Sequence, residues 1–142
     1  MNYPFIKSVK SEEETTKIAL EFAGDIKAGD VIVLNGNLGA GKTFFVKQAL
    51  KRFNINNVSS PTFALVNEYT GTIKVYHFDF YRINSSGELF DIGYNDYLND
   101  KNALLFIEWG NLIPAVIPGE KYEINILLKE DFKREIKIEK YS

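Results

Sequence analysis

Residues Val31 to Thr43 read VIVLNGNLGAGKT: an apolar, β-branched run, then Gly36, four spacers, and Gly41-Lys42-Thr43. The stretch leaves few folds open, because it demands a strand running in, a tight loop and a helix running out. Glycines at 36, 39 and 41 admit backbone conformations closed to residues bearing a Cβ. The N–H groups of Gly36, Asn37, Leu38, Gly39, Ala40 and Gly41 can therefore converge on phosphate oxygens. A helix starting near Gly41 adds unpaired donors and the positive end of its dipole. Lys42 supplies a point charge for the β and γ phosphates of a nucleotide, and the Thr43 hydroxyl suits one position on Mg²⁺.

Asn35-Gly36 alone would suggest a hairpin turn. The Lys-Thr pair and the stripe of Phe45, Val46, Ala49, Leu50 and Phe53 override that, since they predict a helix with one core-facing side. Upstream, Ser11 and Glu14 match a capping box, and Ile18, Ala19, Phe22, Ala23 and Ile26 recur on one helical face. A helix is expected from about Glu12 to Ala23, ended by Gly24, with Ala28-Gly29-Asp30 turning the chain into the strand.

Downstream, Ser59-Ser60-Pro61-Thr62 breaks the chain before FALVNEY, from Phe63, and IKVYHFDFY, from Ile73. Thr70-Gly71-Thr72 between them reads as the turn of a hairpin. Asp79 closes the second run, where the acid of a nucleotide site would sit. Ser85 and Glu88 fit another capping box, with Gly93 ending a short helix and Tyr94 to Leu98 adding a turn. Ala103 to Trp109, ALLFIEW, is continuously apolar up to Glu108 and suits a central strand covered on both faces. YEINILLK and KREIKIEK alternate around Glu130-Asp131 as a terminal hairpin, expected at a sheet edge.

Length and composition narrow the function. At 142 residues the chain reads as one domain, residues 1–142, short for an enzyme with a lid over a second substrate. A net charge of -2 leaves no basic stripe for direct binding of nucleic acid. The absence of cysteine excludes disulfides and thiolate chemistry. With no signal pattern and no apolar run of spanning length, no membrane association and a cytoplasmic location are expected.

Four segments together resemble one family, the bacterial TsaE (YjeE) ATPases of tRNA threonylcarbamoyladenosine synthesis. They are the glycine-rich loop with its Leu-Gly-Ala-Gly-Lys-Thr; Ser60-Pro61-Thr62-Phe63 followed by Glu68-Tyr69; Tyr76-His77-Phe78-Asp79-Phe80-Tyr81-Arg82; and Ile107-Glu108-Trp109. Thr15 fits the family's opening pattern. Asn37 stands where the family usually has Asp, Phe44 replaces a common small hydroxyl residue, and the acid often found after the tryptophan is missing. None of these removes a lysine, threonine or carboxylate needed for the chemistry. The resemblance implies an α/β fold of the P-loop NTPase kind, a central parallel sheet flanked by antiparallel strands. It also implies ATP and Mg²⁺ as cofactors, and partners of the TsaD and TsaB type. In the family, ATP turnover resets the partner complex that modifies tRNA, and tRNA is met mainly through those partners.

Within that frame Thr43 and Glu108 are expected to hold the metal and Asp79 to orient the attacking water, although Asp79 competes for the metal role. Lys42 is expected to act in catalysis as well as binding. Thr62 reads either as a switch-like hydroxyl sensing the γ-phosphate or as a turn residue, and Thr15 is placed near the base. His77 and Trp109 read first as packing residues, and Arg82 either as a phosphate sensor or, more commonly for a strand-end arginine, as a surface ion pair. A GTPase is excluded by the lack of an Asn-Lys-x-Asp element. The competing function is a nucleotide-dependent interaction module with negligible hydrolysis.

Overall fold

In the computed structural model, which describes residues 1–61 and 65–142, the β-branched run before the glycines is the buried middle of a sheet. This strand, β2 (Val31–Gly36), pairs in parallel with β5 (Ala103–Glu108) on one side and with β6 (Lys121–Leu128) on the other. The described residues form one seven-stranded sheet of order β1-β7-β6-β2-β5-β4-β3. Its parallel centre of β6, β2, β5 and β4 (Lys74–Asp79) is flanked by antiparallel β3 (Val66–Thr70), β7 (Arg134–Tyr141) and β1 (Phe5–Val9). The mixed α/β architecture expected from the sequence is the one found.

Helices α1 (Glu12–Ala23) and α2 (Lys42–Leu50) cover one face. Their apolar stripes meet the strands through aromatic contacts: Phe22 lies 6.0 Å from Phe45 of α2 and 5.2 Å, edge-on, from Tyr122 of β6. Such pairs contribute about 0.5–1.5 kcal/mol each beyond the area they bury. The start of α1 differs slightly from the expected reciprocal box. Ser11 Oγ accepts from Glu14 N at 3.2 Å, but the Glu14 carboxylate accepts from Lys10 N at 2.6 Å, one residue earlier than Ser11.

The short helices α3 (Ser86–Asp91) and α4 (Tyr94–Leu98), joined at Gly93, cover the opposite face around Phe78, Phe80 and Tyr94. Ser85 makes no side-chain cap; the Glu88 carboxylate accepts from Asn84 N at 3.1 Å instead.

One further expectation gives way. The terminal hairpin is not at the edge: β6 lies against β2, and β1, a strand with no clear pattern in the sequence, covers β7. Strand β6 alternates despite its inner position because its helix-facing side, with Tyr122, Ile124 and Ile126, is buried while the other side stays half-exposed. In the hairpin β3–β4, the described part begins after Phe63 and Ala64, which with Thr62 lie outside the described residues.

Candidate functional site

The loop between β2 and α2 is held open by two backbone requirements. A Cβ on Gly36 would lie 2.5 Å from the Ile126 carbonyl oxygen, so only glycine lets the end of β2 pass so close to β6. Gly41 caps α2 at φ 108°, a conformation suited to glycine. The lysine that follows is 5% exposed and folded back on its own loop, where Nζ donates to the carbonyls of Gly36 at 2.7 Å and Asn37 at 3.0 Å. Burial pushes the Lys42 ammonium below the usual lysine range, and Glu108 and Asp79 oppose that shift.

The two acids that close apolar strands stand next to each other. Asp79 and Glu108 are direct partners in the β4–β5 ladder, so both emerge at the C-terminal edge of the parallel strands, beside the loop. This edge is where open α/β sheets bind ligands. Glu108 is 3% exposed and accepts from Thr43 Oγ1 through both oxygens, at 2.9 and 2.8 Å. Asp79 accepts from Tyr81 N at 3.0 Å and from Ser60 Oγ at 3.4 Å. Its carboxyl is pushed up, chiefly by burial and further by Glu108, with the bond from Tyr81 N pulling the other way. The arrangement sets a cation, a hydroxyl and two carboxylates around one cleft of ≈ 330 Å³, which Arg82 and Trp109 also line.

Trp109 does more than fill space. Its backbone sits at φ 62°, an outlying conformation for a bulky residue, and its ring lies 4.1 Å beneath Lys42 Nζ and 5.0 Å from Tyr81. His77, read as a packing residue, is fully buried, yet its Nε2 is 2.6 Å from Glu108 Oε2. The only expected site residue not described is Thr62.

Thr15 lies apart from this cleft. It lines an adjoining cavity of ≈ 130 Å³ with Glu12, Ala40, Gly41, Phe44, Ile126, Arg134 and Ile136. Arg134 was not among the expected site residues. Its Nε is buried without a hydrogen-bond partner, while Nη2 donates weakly to Gly39 O at 3.5 Å. A buried donor left unpaired is costly, and a ligand acceptor would satisfy it. The signal was present in KREIKIEK, where Arg134 is in phase with the buried Ile136 and Ile138.

The chain is similar to known proteins over most of its length. Residues 9–136 match the family described as "Threonylcarbamoyl adenosine biosynthesis protein TsaE". The chain is 38% identical over 136 residues to the tRNA threonylcarbamoyladenosine biosynthesis protein TsaE of Rickettsia typhi, covering 94% of this chain and 93% of that one. It is 40% identical over 126 residues to the Bacillus subtilis protein of the same name, covering 87% and 78%. The crystal structure of Bacillus subtilis YdiB superimposes with a TM-score of 0.80 at 31% identity, over 100% of this chain and 88% of that one. The match therefore takes in the loop, both strand-end acids and the parallel centre that brings them together, and the chain belongs to the TsaE family.

Proposed function

We propose that this chain binds Mg-ATP at residues 36–43 and hydrolyses it slowly, and that the cycle resets a TsaD–TsaB pair between rounds of threonylcarbamoyl transfer to tRNA. The observation that carries the reading is the convergence of Lys42, Thr43, Asp79 and Glu108 on one cleft beside the loop.

Binding begins with an exchange of partners. Lys42 leaves the carbonyls of Gly36 and Asn37 for phosphate oxygens, replacing neutral acceptors with charged ones. Thr43 Oγ1 and the Glu108 carboxylate, already in contact, are hard oxygen donors suited to Mg²⁺. Mg²⁺ commonly uses one or two protein oxygens with phosphates and water. That fits the described residues, among which no group of three or more His, Asp or Glu is placed to hold a metal ion by itself. When bound there, such an ion would supply positive charge to neutralise the phosphates during transfer.

Asp79 is the base. As the water oxygen bonds to the γ phosphorus, the bond to the bridging oxygen breaks and ADP leaves; the water's proton passes to the Asp79 carboxylate. Burial raises the carboxyl's proton affinity, which favours that transfer. The adenine is assigned to the cavity of Phe44, Ile126 and Ile136, with Thr15 and the unpaired Arg134 Nε as polar contacts.

The division of labour is tested by paired variants. Glu108→Gln is expected to weaken the Mg²⁺ dependence of ATP binding, whereas Asp79→Asn keeps binding and loses turnover. Mg²⁺ titrations in which the two variants exchange behaviour would show the roles reversed.

A further inference from the structure

The reaction as described makes no use of His77, the only histidine, although it is fully buried against the proposed metal acid. Its Nε2 lies 2.6 Å from Glu108 Oε2, and its Nδ1 lies 3.3 Å from the Tyr69 hydroxyl. That hydroxyl donates to Ser59 O at 2.9 Å and is approached by Ser59 N at 3.2 Å and Asn67 Nδ2 at 3.3 Å. A continuous path thus runs from the Ser59 backbone through two rings to Glu108, and from there to Thr43. The sheet dictates it. Asn67 pairs with His77, His77 with Phe106, and Asp79 with Glu108, so Tyr69, His77 and Glu108 lie on successive diagonals of β3, β4 and β5.

Counting protons shows what the path can do. A carboxylate only accepts, so the tautomer that serves Glu108 carries its hydrogen on Nε2 and offers Nδ1 as the acceptor. The nearby Tyr69 hydroxyl has one proton, and Ser59 O also accepts it. In this structure Ser59 O and Nδ1 compete for the Tyr69 proton; a Ser59 carbonyl moved away would leave it to Nδ1 alone and so fix the ring beside Glu108. Ser60 meanwhile contacts Asp79, so consecutive residues report to both acids.

We propose that Tyr69 and His77 are positioning residues, and that they make the aim of Glu108 toward Mg²⁺ depend on where the Ser59–Ser60 segment stands. The proposal rests on the reading of Glu108 as the metal acid. It supplies a route by which a nucleotide or protein that moves residues 59–60 alters metal affinity without touching the metal ligands. Partners in this outer position typically govern about 10–100-fold in metal affinity.

The test measures the affinity of a non-hydrolysable ATP analogue by calorimetry, in EDTA and across a Mg²⁺ titration, for the wild type, Tyr69→Phe, His77→Leu and His77→Gln. Tyr69→Phe and His77→Leu are expected to raise the Mg²⁺ concentration at half-effect by about tenfold or more, with the affinity in EDTA unchanged. His77→Gln, which restores an amide donor toward Glu108, should recover most of the loss seen with leucine. Wild-type half-effects in the Phe and Leu variants, or Gln and Leu behaving alike, would reduce the ring to filler and overturn the proposal. Should His77→Leu fail to fold, Tyr69→Phe, which preserves the ring, decides by the same readout. A wild type whose analogue affinity ignores Mg²⁺ would instead remove the metal reading of Glu108, and the relay with it.

Discussion

In the proposed function, Lys42 must exchange the partners it holds in this structure for phosphate. Its ammonium is buried, holds two loop carbonyls and lies over the Trp109 ring, an arrangement that keeps the charge partnered without phosphate. Removing it leaves the loop's amides in place, so binding should weaken rather than vanish. Lys42→Ala is expected to lose about 1.5–3 kcal/mol of ATP affinity, roughly ten- to hundredfold, by calorimetry. Asp79 makes a prediction of opposite sign for stability. Its carboxyl is held above the ordinary 3.8, so between that value and its higher folded one the native state binds more protons than the unfolded chain. Its contribution to stability therefore falls as pH rises through that window. Asp79→Asn removes the penalty: the ligand-free variant should melt above the wild type at neutral pH, with the gap closing as pH falls through that window toward 3.8. A variant that melts below the wild type at neutral pH would show that the bonds from Tyr81 and Ser60 outweigh the burial.

At the scale of elements, the glycine loop was legible because its pattern and its structural role coincide: strand, loop and helix occur where the residues demand them. Strand β5 was legible for a similar reason, being buried at every position from Ala103 to Glu108. Strand β1 was not. Among Phe5, Ile6, Lys7, Ser8 and Val9 only Val9 is buried, so the segment carries no alternation to read. The place of β6 was also hidden, since burial on one face gives an inner strand the signature of an edge. That misplacement explains why Arg134 went unrecognised: it reaches the loop only because β6 brings β7 near the centre of the sheet. His77 was correctly read as buried, but its contact with Glu108 depends on the register of β4 and β5, which one strand's sequence cannot reveal. The close passage of β2 and β6 yields a prediction. Gly36→Ala forces a Cβ against the Ile126 carbonyl and should lower unfolding stability by about 1–3 kcal/mol in denaturant titration, with ATP binding weakened as the loop shifts. Unchanged stability would mean that β6 yields to the methyl group freely.

For the whole molecule, the proposed function raises the question of where the free energy of ATP would be used. The chain presents its glycine-rich loop, both acids and the Ser59–Ser60 segment at one end of the sheet, so the groups that would sense nucleotide in the proposed reading share one surface. Exposed apolar side chains at Leu38 and Tyr81, 64% and 51% accessible, border the same cleft. Energy released there by the proposed hydrolysis would act through conformation, and a partner that prefers one nucleotide state must in turn alter nucleotide affinity by the same factor. The most direct test is steady-state Mg-ATP hydrolysis by the chain alone and with the TsaD–TsaB pair. The account predicts slow turnover alone, a clear acceleration with the pair, and loss of both in Asp79→Asn; an equal rate with and without the pair would contradict it.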